Sequence, residues 1–140
     1  MQLRPLSKEL SASPQIVIAD IAVLAAQGFR SIINNRPDGE EPGQPSSATL
    51  AAAARQAGLD YRHIPVMPGQ LQGTQVTAFA AALADMPGPV LAFCRTGTRS
   101  TTLWALQARG SADAILETAR VAGYDLSGLR PQLGDAAHGQ

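Results

Sequence analysis

The sequence predicts an α/β domain with a mostly parallel central sheet. Strand-length apolar runs alternate along the chain with alanine-rich stretches of helical periodicity. Glycines fall where helical stretches should start or stop, at Gly28, Gly58, Gly110 and Gly123. Size is the third observation: 140 residues suffice for one hydrophobic core and are too few for two comfortable ones. Residues 1–133 therefore read as one domain, and residues 134–140 as a disordered tail.

Residues 3–6 and 10–13 are short and bounded by prolines, which suits an edge hairpin or edge strand. Residues 19–27 carry Ile21, Leu24 and Ala25 at helical spacing, closed by Gly28. Residues 29–34 read as a strand, and residues 35–45 form a Pro/Gly/acidic loop. Ser46 or Ser47 can cap a helix that runs to Ala57. Residues 61–66 are the next strand, broken by Pro68 and Gly69. Thr74 is expected to cap a helix over residues 75–85, with Val76, Phe79, Ala80 and Leu83 on one face. After Pro87-Gly88-Pro89 come a strand at residues 90–93, a turn at Gly97, and helices over residues 100–108 and 112–122. Residues 126–133 add a short helical turn. Phe79 and Trp104 read as core, and His63 as a strand residue at the core or rim.

Acidic and basic residues balance at 11 each, so no net field favours nucleic acid or an anionic membrane surface. The single cysteine excludes an internal disulfide and, with two distant histidines, makes a metal centre unexpected. No cofactor is implied. The opening Met1-Gln2-Leu3-Arg4-Pro5 has no signal-like apolar run, and no stretch reaches membrane-spanning length, so the expected location is cytoplasmic.

The chemistry concentrates in Cys94-Arg95-Thr96-Gly97-Thr98-Arg99-Ser100. An apolar strand, a glycine-containing turn and a helix start place successive backbone N–H groups around one point, at the positive end of a helix dipole. Such a ring binds an anion, and a cysteine at its mouth becomes a nucleophile as its thiolate. Cys94 is the expected nucleophile. Residues Arg95, Thr96, Gly97, Thr98, Arg99 and Ser100 form the expected anion-binding loop. Gly97 permits the turn, and Arg99 forks onto substrate oxygens or braces the loop. Ser100 either bonds the thiolate or caps the helix.

This loop resembles two families. Its Cys-x-x-Gly spacing is similar to the signature loop of cysteine-dependent protein phosphatases, but Arg99 arrives one residue early. The resulting Cys-x4-Arg pattern resembles rhodanese-type sulfurtransferases, whose tighter loop suits a persulfide sulfur. The motifs 34–45 (Asn-Asn-Arg-Pro-Asp-Gly-Glu-Glu-Pro-Gly-Gln-Pro) and 61–66 (Tyr-Arg-His-Ile-Pro-Val) resemble the bacterial phosphatase-like domain of beta-lactamase-hydrolase-like proteins, over about residues 1–110. Members of that family carry phosphatase or sulfur transferase labels. The resemblance implies a cysteine-phosphatase-like fold.

Phosphate-ester hydrolysis needs a general acid for the leaving oxygen. Phosphatases of related fold often place an aspartate after the strand corresponding to residues 61–66, where this chain reads Met67-Pro68-Gly69-Gln70-Leu71-Gln72. Asp38, Glu40 or Glu41 could substitute if their loop folds over the site, and Asp38, behind the rigid Arg36-Pro37, is the first candidate. Without an acid, the expected activity is sulfane-sulfur transfer through a Cys94 persulfide. Its partners would be a small-molecule or protein persulfide or thiosulfate donor and a thiol acceptor. The alternatives are a phosphatase acting on a phosphate ester through a Cys94 phosphocysteine, and a non-catalytic anion-binding module.

Overall fold

The computed structural model describes residues 1–135. Its sheet contains β1 (Arg4–Pro5), β2 (Leu10–Ser13), β3 (Ser31–Asn34), β4 (Asp60–His63) and β5 (Val90–Phe93), in spatial order β1-β2-β5-β3-β4. β2, β5, β3 and β4 run parallel, and β1 alone is antiparallel, against β2. The predicted alternation thus yields the predicted α/β fold. Residues 4–5 and 10–13 form the expected edge hairpin, in which β1 is the edge strand and β2, paired on both sides, is buried along its length. Pro14 follows the last paired residue and leaves the ladder intact, while Pro5 sits in the true edge strand.

Successive side chains on a strand point to opposite faces, and this divides the core in two. Ile32, Leu91 and Phe93 pack under α1 (Ile18–Ala26) and α2 (Ser47–Gln56) with Ile21, Leu24 and Leu50. Ile33, Val90 and Ala92 pack under α3 (Gly73–Asp85), α4 (Thr98–Gln107) and α5 (Ala112–Val121) with Phe79, Leu103, Trp104 and Ile115. A 3-10 helix, Ser127–Gln132, follows α5. No helix among the described residues is long and apolar enough to cross a membrane.

Two helices start two residues earlier than expected. Ser46 caps α2 as predicted, its Oγ accepting from the Thr49 N–H at 3.2 Å. α3 instead begins at Gly73, and Thr74 lies inside its first turn. There the Gln75 side chain accepts from the Gln72 N–H at 2.8 Å and closes the start. α4 begins at Thr98, directly after Gly97. Residues 134 and 135 are also ordered: the Asp135 N–H donates to the Gly110 carbonyl at 2.8 Å, and Asp135 Oδ1 accepts from the Gly110 N–H at 2.9 Å. The rest of the expected tail, residues 136–140, lies outside the described residues.

Register places the site. Phe93 lies opposite both Ser13 and Asn34, and Asn34 lies opposite His63. The segments that leave these strands, at Pro14-Gln15, Asn35-Arg36, Ile64-Val66 and Cys94-Arg95, therefore emerge along one edge. It is the carboxyl edge of the parallel strands, where α/β sheets bind ligands.

Candidate active site

Cys94 leaves β5 at the centre of that edge and is fully buried. Its Sγ accepts from the Gly97 N–H at 3.1 Å, so the chain curls back over the sulfur within three residues. Gly97 makes that possible with φ +94. The turn feeds straight into α4, and the Thr101 N–H and Oγ1 both bond the Gly97 carbonyl, at 3.0 and 2.8 Å. Among the described residues, the N–H groups of Arg95, Thr96, Arg99 and Ser100 find no protein acceptor. A group of unpaired donors at a helix start is an anion-binding nest. Tyr124 braces the loop from behind, its Oη donating to the Thr96 carbonyl at 3.0 Å.

The other loop residues divide by role. Thr96 and Thr98 satisfy each other locally, through an Oγ1–Oγ1 bond of 3.0 Å and the Thr98 N–H on Thr96 Oγ1 at 3.3 Å. Ser100 takes neither expected role: its Oγ donates to Asn35 Oδ1 at 2.8 Å, tying α4 to the end of β3. The Arg95 side chain is exposed at the rim and forms no ion pair among the described residues.

Arg99 is anchored by a carboxylate. Its Nη1 donates to Glu40 Oε2 at 2.7 Å and to the Val66 carbonyl at 2.9 Å, and its Nη2 donates to Glu40 Oε1 at 2.9 Å. Glu40 takes both terminal nitrogens of the guanidinium, and among the described residues the Nε–H has no protein oxygen as acceptor. The pKa of Arg99 is raised, first by the Glu40 bond and then, against burial, by the nearby Cys94 sulfur. Glu40 is also held by Arg36, whose Nε donates to Glu40 Oε1 at 2.7 Å. Arg36 is fully buried, and its other nitrogens donate to Gln15 Oε1 and to Glu41 Oε1, each at 3.0 Å. A buried guanidinium without such partners would be untenable.

Asp38, the first candidate for an acid, is not brought to the loop. It is exposed, and its Oδ1 accepts from the Ser47 N–H at 2.8 Å at the start of α2. The carboxylate at the site is Glu40. A cavity of about 560 Å³ over the loop is lined by Glu40, Met67, Pro68, Gly69, Arg95, Thr96 and Arg99. Its wall at Met67-Pro68-Gly69 supplies no acid. His63 is exposed, with Nε2 on the Arg36 carbonyl at 2.8 Å, outside that lining.

The Arg99 hydrogen bond, and after it Arg36, hold the Glu40 carboxyl down from the ordinary 4.5 to about 2, against burial. The sign follows directly. A lowered folded-state pKa contributes stability that is complete above the unfolded value and is lost as pH falls towards the folded one. The wild type should therefore lose more stability than Glu40→Gln as pH drops from about 5 to 2. Thermal melting of both proteins across that window checks it. Parallel acid profiles would show that the ion pairs do not hold Glu40 ionised.

The fold and this Cys-loop-Arg site define the class as a cysteine-phosphatase-like α/β domain. The family described as the phosphatase-like domain of beta-lactamase hydrolase-like protein matches residues 2–112, and the chain belongs to it. A beta-lactamase hydrolase-like protein of Agrobacterium fabrum is 42% identical over 125 residues, which is 86% of this chain and 29% of that protein. The chain thus spans about three-tenths of the length of the curated relatives it matches. A Neisseria meningitidis protein described as a "putative phosphatase" is 36% identical, with a TM-score of 0.84 covering 98% of this chain and 99% of that one. The catalytic domain of a PP-IP phosphatase from S. cerevisiae shares the fold alone, at 18% identity and TM-score 0.69, covering 94% and 82% of the two chains. The names these proteins carry are phosphatase and hydrolase names; none refers to sulfur transfer.

Proposed function

We propose that the chain is a cysteine-dependent sulfurtransferase on a phosphatase-like fold. One observation carries this reading: the carboxylate at the site, Glu40, is held ionised between two arginines and has no proton to give at neutral pH. A reaction whose leaving group departs without a proton fits such a site. Sulfane-sulfur transfer meets that condition. The Cys94 thiolate attacks the outer sulfur of thiosulfate, an S–S bond forms as the donor S–S bond breaks, and sulfite departs with the electron pair. The Cys94 persulfide then gives its outer sulfur to an acceptor thiolate, or to cyanide as thiocyanate, and the thiolate returns. No proton moves in either step. Arg99, five positions after Cys94, closes a loop one residue shorter than the phosphatase pattern, which suits a single sulfur atom. These 140 residues hold no second cysteine, so the acceptor thiol lies outside them.

Phosphate-ester hydrolysis through a Cys94 phosphocysteine is the second reading, favoured by the family and by the fold of the solved neighbours. Without an acid it would be confined to esters with good leaving groups. One purified sample assayed with thiosulfate plus cyanide and with an aryl phosphate separates the two. Thiocyanate production that is lost in Cys94→Ser, with little aryl phosphatase turnover, is expected. Aryl phosphatase turnover without thiocyanate would replace the first reading with the second.

A further inference from the structure

Arg36 lies outside the Cys94 loop, yet it is joined to both ends of it. Towards the far end, its Nε holds Glu40 Oε1 at 2.7 Å, and Glu40 in turn grips Arg99 at 2.7 and 2.9 Å. Towards the near end, its Nη1 holds the Gln15 side chain at 3.0 Å, while the Gln15 N–H donates to the Arg95 carbonyl at 3.2 Å. Its backbone is fixed as well, the Arg36 N–H donating to Asn34 Oδ1 at 2.8 Å at the end of β3. The guanidinium is fully buried, so few alternative rotamers are open to it. The loop that carries Glu40 is closed on itself too: the Glu40 N–H donates to Gln44 Oε1 at 3.0 Å, and Gln44 Nε2 donates to the Pro37 carbonyl at 2.9 Å.

We propose that Arg36 is a positioning residue for Cys94 chemistry, clamping the nucleophile loop at both ends and aiming the free edge of Arg99 at the sulfur through Glu40. A planar fork with donors in three directions can serve Glu40, Glu41 and Gln15 at once, which an ammonium on a flexible stem does only loosely. The inference rests on Cys94 being the nucleophile, which the sulfurtransferase and phosphatase readings share.

The test compares alkylation of Cys94 by anionic iodoacetate and neutral iodoacetamide. The ratio of the two rates cancels the fraction of thiolate and reports how strongly the site draws an anion to the sulfur. A loosening of the whole site would lower the ratio whether or not Arg99 is present, so the ratio is read in both backgrounds. Arg36→Met should bring the ratio down about tenfold, close to that of Arg99→Ala, the order expected when one charge-assisted contact to an anion is lost. In an Arg99→Ala background the same substitution should change the ratio less than about twofold, because residues acting as one unit are not additive. Arg36→Lys keeps the buried charge and serves where Arg36→Met fails to fold; it should lower the ratio by a smaller factor.

A folded Arg36→Met or Arg36→Lys protein with the wild-type ratio overturns the proposal. So does an equal fall in the Arg99→Ala background, which would make Arg36 purely structural. A wild-type ratio no higher than that of Arg99→Ala overturns it as well, since Arg99 would then not be aimed at the sulfur. The ratio does not depend on turnover, so absence of persulfide formation would remove the sulfurtransferase reading and leave this result standing.

Discussion

Gly97→Ala is expected to abolish Cys94 chemistry and to destabilise the whole domain. Gly97 stands at φ +94, where a side chain is strained before any contact is considered. A Cβ there would also run into the Tyr124 hydroxyl, and would sit 3.2 Å from the backbone carbon of Ser13. Neither obstacle gives easily: Tyr124 is buried and bonded to the Thr96 carbonyl, and Ser13 is the last residue of interior strand β2. Backbone strain of about 1–3 kcal/mol and overpacking of about 1–3 kcal/mol together predict a loss of roughly 2–6 kcal/mol. Relief of either obstacle would move Gly97, and with it the N–H that bonds the sulfur at 3.1 Å. Chemical denaturation and thiosulfate turnover of the folded fraction measure the two effects separately. A variant with wild-type stability and turnover would mean that the loop does not depend on this turn.

Arg99→Ala should remove about 10²–10³ of turnover while leaving the protein folded, the usual cost of deleting a donor aimed at developing negative charge. Two effects reinforce each other. The sulfur loses a neighbouring cation, and Glu40 is left beside the site with Arg36 as its remaining arginine partner. An anionic donor then approaches a carboxylate that is less well neutralised. Arg99→Lys restores the charge without the fork and should recover only part of the rate. Steady-state rates against thiosulfate for the three proteins check this. A loss in Arg99→Ala below about threefold would place Arg99 outside the chemistry, since preorganised donors are worth far more.

The fold was largely legible because it rests on patterns that a sequence carries openly. β5 and its cysteine were readable from an apolar run ending at a glycine turn, and the helix over α2 from Ser46 and its alanines. The edge hairpin of β1 and β2 was legible, but not which strand pairs inward; what buries β2 is pairing to β5, some eighty residues away. At the site, the cysteine and the turn that curls over its sulfur could be read from local spacing. The choice of Glu40 over Asp38 could not. It is decided by Arg36 and Arg99, which approach from residues 36 and 99 and meet only when the loop folds over the sheet edge. Ser100 shows the same limit, since its partner Asn35 lies 65 positions away. One signal was available for Arg36: a charged residue two positions after a buried strand, on the carboxyl edge, has a reason to be there.

The central claim is that Cys94 carries sulfur. Intact mass of the protein within a single turnover reads it directly, with the adduct mapped to its peptide. After thiosulfate the wild type should gain one sulfur atom on Cys94, removable by cyanide or by a thiol and absent in Cys94→Ser. After an aryl phosphate it should gain no phosphoryl group. A phosphoryl adduct on Cys94, with no sulfur adduct after thiosulfate, would contradict the account.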